Sequence, residues 1–271
     1  MKSILCTIFI VFPLYFAKGQ TLKPMIINGK EATSIDSVSL STIAIQMPST
    51  ANGIVQYSHC TAFVVKENIL MTAAHCLAYL TDKSGVQAIL SLAPQFGPDD
   101  GSQKRITLTD FRINPNYHGD NTGVYNDIAL IKLQSNLPSY YRVLNFDFDL
   151  DSTLIAGQSL VVAGFGSTAD FGQPDPLPPL LRFASAPFVG GNNSSFQDSD
   201  QLLIDQSKSG FCNGDSGGPL YFQSNSKLTP IGIVSHVTQD ASGKWTCKSI
   251  GAFTRISFFK NWILQALFEL N

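Results

Sequence analysis

Strand-like runs broken by turn residues fill almost the whole chain, and that alternation restricts the fold more than any other feature. "IVQYSHCTAFVV" and "ILMTAAHC" flank the turn "KEN" and read as an antiparallel pair. "NDIALIKL" is a short, nearly continuous apolar run, as in a strand buried on both faces. "SLVVAGFGS", "LTPIGIVSHV" and "GAFTRI" are further strands bounded by Gly, Pro and Asn. The proline-rich interval 170–180 must be a loop, and "PSYYRVLNFDFDLDST" reads as a connector between two halves. Only "SFFKNWILQALFEL" has helical spacing. Phe258, Trp262, Leu264 or Gln265, and Phe268 or Glu269 fall about one turn apart, with Ser257 as the expected N-cap. The expectation is an all-β chain in two halves, closed by one C-terminal helix.

The amino-terminal end has a different character. Lys2 precedes the apolar stretch Ile4–Ala17, and Ala17-Lys18-Gly19 supplies small residues at cleavage spacing. Fourteen apolar residues make about 21 Å of helix, too short for a bilayer core of about 30 Å. Residues 1–19 therefore read as a secretory signal peptide, and the protein is expected to be secreted and extracellular, without a membrane span. Of the five cysteines, Cys6 leaves with the signal; Cys60, Cys76, Cys212 and Cys247 remain. An even number in an oxidising setting implies two disulfides, and three pairings are open. No CxxC occurs, so no zinc site is expected. A net charge of −2 gives no basic patch, and nucleic acid is not an expected partner. Charged residues make up only 14%, which favours a compact, loop-rich protein over a disordered one.

Three segments carry chemistry. "MTAAHCL" holds His75, and "NDIAL" places Asp127 at the mouth of a buried strand. Each alone would more often be structural. "GFCNGDSGGPL" sets Ser216 between Asp215 and Gly217-Gly218, with Gly214 before them. Glycines let a tight turn aim two N–H groups at one point while exposing the serine oxygen. The order is His…Asp…Ser, with spacings of 127 − 75 = 52 and 216 − 127 = 89 residues.

With these segments the chain resembles the chymotrypsin/trypsin-like serine proteases, peptidase family S1. The matching stretches are "IINGKEA", "TAAHC", "NDIALIKL", "GFGS", "GFCNGDSGGPL", "IGIVSH" and "GAFTRISFFKNWI", in family order from residue 26 to 263. The resemblance implies two six-stranded antiparallel β-barrels, barrel 1 about 26–140 and barrel 2 about 150–256, with a closing helix about 257–269. It implies a secreted serine endopeptidase made as a zymogen. His75 would be the base, Asp127 its orienting partner and Ser216 the nucleophile, with Gly214 and Ser216 N–H groups as oxyanion donors. It pairs Cys60 with Cys76 and Cys212 with Cys247. It implies removal of a short propeptide, residues 20–25, and pairing of the new Ile26 amine with Asp215. The residue before Ile26 is Met25, not the usual Arg or Lys, and Lys23 is followed by Pro24. A trypsin-like activator is not expected there. The further disulfide that often precedes the nucleophile segment is absent, and the loop there is expected to be more mobile.

The resemblance also locates the pocket. Gly210 stands where trypsin-like members carry an aspartate, so cleavage after Arg or Lys is not expected. Phe211, Ser235, His236, Val237 and Gly251 would line the substrate site, with His236 in place of a usual Trp and Val237 in place of Gly. A small or medium apolar P1 residue is the expectation. Expected partners are protein or peptide substrates, an activating protease and protein protease inhibitors. No cofactor or metal is expected, and the chain is expected to be a monomer. The alternative is a catalytically inactive family member acting as a binding or regulatory protein. Asn192 and Asn193 each begin an N-x-S sequon. "GPDDGS" reads as a solvated turn rather than a calcium loop.

Overall fold

A computed structural model describes residues 26–80, 85–120 and 123–271. The expected signal peptide and propeptide lie outside the described residues. The chain forms two closed six-stranded antiparallel barrels. The first contains β2 (Thr42–Ala51), β3 (Ile54–Lys66), β4 (Ile69–Thr72), β5 (Gln87–Ile89), β6 (Arg105–Ile113) and β9 (Ala129–Leu133), in the order β2-β3-β4-β9-β6-β5. Pairing of β2 with β5 closes it. Asn52 and Gly53 join β2 to β3 with φ of 52° and 76°. Two consecutive left-handed residues make the tight hairpin turn whose twist matches the flanking strands. β9, inside "NDIALIKL", sits between β4 and β6 with almost every side chain buried, as its unbroken apolar run requires.

The second barrel contains β10 (Ser159–Gly164), β11 (Arg182–Gly191), β12 (Gln201–Asp205), β13 (Pro219–Ser224), β14 (Lys227–Val237) and β15 (Ile250–Arg255). β11 pairs with β10 along its first part and, past Phe188, with β12, which closes the ring. The two-residue strand β1 (Lys30–Glu31) adds to β11, so this early segment belongs to the second barrel's sheet. A small hairpin, β7 (His118–Asp120) with β8 (Gly123–Tyr125), stands apart. No regular element occupies the proline-rich interval 170–180.

Each barrel has its own core: Ile43, Phe63, Leu70 and Ile131 in the first, Leu160, Val162, Ile204 and Phe253 in the second. The helix α1 (Lys260–Glu269) follows the second barrel but packs on the first, through Ile263, Ala266 and Leu270, with Phe259 just ahead of it. Of the residues read at helical spacing, Trp262 packs against this core, but the others do not. Phe258, Leu264 and Phe268 are largely exposed. The apolar residues wrap too much of the helix for spacing alone to choose a side. Ser257 is not the N-cap either: a 3-10 turn, Ser257–Phe259, precedes the helix, and its hydroxyl bonds Asp151 instead. Asp151 also takes the Arg255 guanidinium at 2.9 Å in a pair with both side chains buried. No helix among the described residues is long and apolar enough to cross a membrane.

Among the described residues the disulfides are Cys60–Cys76 and Cys212–Cys247. The loop that lacks a third one is tied by side chains. Asn192 donates to Asp200, Asn193 to the Asp198 carbonyl, and Arg255 to the carbonyls of Phe196 and Ser199. In "GPDDGS", Asp99 and Asp100 accept the N–H groups of Gly101 and Ser102, two residues on in each case. That is the geometry of Asx turns.

Candidate active site

Both barrels contribute to one cleft. β4 ends at Thr72, and the 3-10 turn Ala74–Cys76 that follows presents His75. Asp127 lies just before β9 and Ser216 just before β13. The Asp127 carboxylate is completely buried, and every oxygen is used. Oδ1 accepts the His75 backbone N–H at 2.9 Å, and Oδ2 faces His75 Nδ1 at 2.8 Å. Oδ2 also accepts the Ser235 hydroxyl from β14 at 2.6 Å.

Opposing effects set the charges. Burial alone would raise Asp127, but the charge and hydrogen bonds of His75 and the bond from Ser235 hold it below the ordinary carboxylate range. Burial alone would lower His75, but the charge and bond of Asp127 outweigh it and hold the imidazole above its ordinary value. A histidine bonded through Nδ1 offers Nε2 to a neighbour, which is the arrangement a general base needs. Among the described residues no hydrogen bond joins His75 to the Ser216 hydroxyl. Ser216 is held close by its backbone: its carbonyl accepts the Thr61 N–H at 2.8 Å and lies 3.8 Å from Cys76 Sγ.

Hydrogen bonds on several sides hold the turn around Ser216. The Asn213 carbonyl accepts the Ser167 N–H at 2.6 Å. A trans peptide points C=O and N–H in opposite directions, so the Gly214 N–H faces away from Ser167. The Gly214 carbonyl accepts the Thr61 hydroxyl at 3.0 Å. Gly214 has φ of 91°, which glycine adopts without strain. The Gly218 N–H closes the turn on the Asp215 carbonyl at 2.8 Å. Among the described residues, the N–H groups of Gly214 and Ser216 have no acceptor. Two free donors beside a serine oxygen are the parts of an oxyanion hole.

Asp215 is fully buried. Its carboxylate accepts Gly166 N–H at 2.7 Å and Cys212 N–H at 2.9 Å. Burial pushes it up to about 7, against the pull of those bonds and of the Arg182 charge. Ile26 is buried in the second barrel's core, with φ of 48°, and Ile27 bridges to Gly210. Among the described residues, Ile26 and Asp215 do not bond in the intact chain.

Beside Ser216 lies a cavity of about 190 Å³ lined by Phe171, Phe211, Asn213, Ser235, Val237 and Trp245, with His236 and Cys212 at its wall. Gly210 and Gly251, named from the sequence, do not line it. A Cβ on Gly210 would meet Gln206 Oε1 at 2.2 Å, and one on Gly251 would meet the Phe211 ring at 2.6 Å. Gln206 is fully buried, accepting the Phe211 N–H at 2.8 Å and donating to the Cys247 carbonyl at 3.3 Å. Phe211 packs edge-on to Phe253. Sequence reasoning missed Phe171 and Trp245, which line the pocket, and Gln206, which packs behind it; packing and loop paths that no local pattern encodes place all three. It also missed Thr61 and Ser167, although each lies inside a stretch quoted above. Among the described residues, Cys60, His75 and Cys76 group their side-chain atoms within 4.8 Å, but both sulfurs are spent in a disulfide and supply no thiolate to a metal.

Two barrels meeting at a buried Asp–His pair, opposite a serine on a glycine turn, define the class of chymotrypsin-fold proteases. Residues 26–263 match the family model for Trypsin, and the chain belongs to that family of serine endopeptidases. It is 28% identical over 233 residues to chymotrypsin-like elastase family member 1 of Homo sapiens, covering 82% of this chain and 85% of that protein. It is also 28% identical to Trypsin-1 of Astacus astacus, covering 76% of this chain and 87% of that one. A CLIP domain-containing serine protease C9 of Anopheles gambiae matches at 28%, over 77% of this chain and 60% of that protein. Identity this low, to relatives named for different specificities, leaves the pocket to be read from this chain's own residues.

Proposed function

We propose that the protein is a secreted serine endopeptidase, made as a zymogen, that cleaves after small or medium apolar residues. The observation that carries the catalytic reading is the 2.8 Å contact between His75 Nδ1 and the buried Asp127, across the cleft from Ser216 and two free N–H groups. His75 Nε2 takes the Ser216 hydroxyl proton as Oγ bonds to the substrate carbonyl carbon. The oxygen becomes an oxyanion held by the Gly214 and Ser216 N–H groups. His75 then gives the proton to the leaving amine, the peptide C–N bond breaks and an acyl-enzyme remains. Water enters, loses a proton to His75, and releases the acid and Ser216. Asp127 keeps the imidazole in one tautomer and stabilises its cation. The serine–histidine bond forms as substrate enters and excludes water.

The pocket supports the substrate class. Phe211 floors it with an apolar ring and Val237 narrows its wall, while Gln206 fills the space behind Gly210. No carboxylate reaches a basic P1 side chain among the residues that line it. Before activation Asp215 is a buried acid without a bonded cation. Cleavage after Met25 would free the Ile26 amine to pair with it and fix the oxyanion turn. The reference α-amine pKa is about 7.7–8.0, and the ion pair raises it. The active form is then fully favoured below the reference value and lost as pH rises through the folded one. The signal peptide places the enzyme outside the cell, where peptide substrates, an activating protease and protein inhibitors are its partners. Cleavage of a peptide library by protein beginning at Ile26 tests this. Products ending in Ala, Val or Leu, absent with Ser216→Ala, are expected; products ending in Arg or Lys would overturn the specificity, and no cleavage would overturn the enzyme.

A further inference from the structure

A second imidazole is linked to Asp127. His236 follows Ser235 on β14, at the register break where the strand pairs with β15. Its Nδ1 lies 3.2 Å from the Ser235 hydroxyl oxygen, and that hydroxyl lies 2.6 Å from Asp127 Oδ2. The direction of both bonds follows from chemistry. A carboxylate only accepts, so the single Ser235 proton goes to Asp127. The Ser235 oxygen then has only lone pairs to offer, and His236 must donate through Nδ1. His236 is therefore held as its Nδ1–H tautomer, and Nε2 carries the free lone pair. The ring is half-buried at the wall of the substrate cavity.

We propose that His236 is a specificity residue, whose Nε2 accepts a hydrogen bond from a hydroxyl or amide side chain of the substrate on the amino-terminal side of the scissile bond. The proposal rests on the protease reading above and adds a polar requirement to an otherwise apolar site. A phenylalanine in this place would offer only an apolar wall, and a tryptophan a donor but no acceptor. A substrate that covers this acceptor without supplying a donor leaves it buried and unpaired, so a substrate that supplies one is favoured.

The charged surroundings keep this acceptor available. Burial lowers the imidazole, and the His75 charge adds to that effect, while Asp127 and Asp200 oppose it; the net direction is down. The neutral ring thus prevails at neutral pH. In acid Nε2 gains a proton and becomes a donor, so the preference turns from side chains that donate to side chains that accept. The same charge, sharing Asp127 with His75, makes His75 less basic.

Two variants separate the ends of the ring. His236→Asn keeps a donor near the Ser235 oxygen and removes the cleft atom. His236→Gln keeps a polar atom near the Nε2 position. The test measures kcat/KM at neutral pH for paired peptides with the same apolar P1 residue, differing only by Ser against Ala, Thr against Val, or Asn against Leu at the preceding positions. Wild type should favour the polar member at one position by about tenfold, the worth of one net hydrogen bond. His236→Gln should keep most of that preference, and His236→Asn and His236→Phe should lose it. Equal rates for both members in wild type, or a preference that survives His236→Phe, would overturn the proposal. Nitrogen-15 NMR of the imidazoles provides an arm that does not need turnover. Nδ1 of His236 should remain protonated while Nε2 titrates, and the reverse tautomer would overturn the assignment even if no peptide were cleaved. Failure of the protease reading is separate: it appears as no turnover of any peptide.

Discussion

The side-chain oxygen of Gln206 lies 2.2 Å from the point where a Cβ on Gly210 would stand. The base of the pocket is thus closed from behind by a fully buried amide that is hydrogen-bonded to Phe211. Gly210→Asp alone should not convert the enzyme to cleavage after Arg or Lys, because Gln206 must first move. Overpacking of this kind typically costs about 1–3 kcal/mol. Denaturant unfolding should register that loss, with no gain in activity on Arg or Lys peptides. Efficient cleavage of those peptides by the single variant would show that the pocket is deeper than described.

The Asp127–His75 pair governs the pH profile. In the proposed mechanism His75 acts as the neutral base, and the pair with Asp127 holds its pKa above the ordinary value. The acid limb of kcat/KM should therefore have its midpoint above about 6.5. The same pairing stabilises the fold fully below the unfolded histidine pKa and is lost as pH rises through the folded one. On the aspartate side, the stabilisation is present above the unfolded carboxylate pKa and lost as pH falls through the depressed folded value. Asp127→Asn should lower kcat by about four orders of magnitude while the protein still folds. Rate profiles and circular dichroism of the variant check both halves.

In the intact chain, Asp215 should make folding stability depend on pH in the opposite sense to most carboxylates. Its pKa rises from the ordinary 3.8 to about 7. The folded state then binds more protons than the unfolded one between those values, so stability falls as pH rises through that window and levels off above it. Asp215→Asn should flatten this slope, and its amide can accept only one of the two N–H bonds that the carboxylate takes, so the test is the slope and not the absolute stability. Urea titrations at several pH values measure it. An unchanged slope would mean that Asp215 already has a cation in the intact chain.

The glycine turn around Ser216 and the position of His75 beside the cleft were legible because tight turns leave local residue signatures. "NDIALIKL" was legible as a doubly buried strand because burial on both faces demands an unbroken apolar run. The helix face was not. Phe258, Leu264 and Phe268 are as apolar as the residues that pack, and only the position of barrel 1 decides which side turns inward. Gln206 was hidden for a similar reason: nothing in "QLLIDQ" says that its last residue folds behind a glycine four residues on. β1 lies near the amino-terminal end yet joins the second barrel, a long-range pairing that no local pattern reveals.

The buried pair of Arg255 and Asp151 makes a prediction away from the cleft. Arg255 joins β15 to the connector through Asp151 and to the 196–199 turn through two carbonyls. Arg255→Met leaves Asp151 buried without its partner and should cost about 3–5 kcal/mol. Asp151→Asn with Arg255→Met removes both charges and should recover part of that loss. Thermal unfolding of the single and double variants decides it.

Every step proposed for the cleft depends on a competent Ser216 in protein whose chain begins at Ile26. Fluorophosphonate labelling followed by intact mass analysis tests it most directly. One phosphonyl adduct is expected on Ser216 in protein cleaved after Met25, and none in Ser216→Ala or His75→Ala. A properly cleaved, folded protein that takes no label would contradict it and establish the inactive, binding role instead.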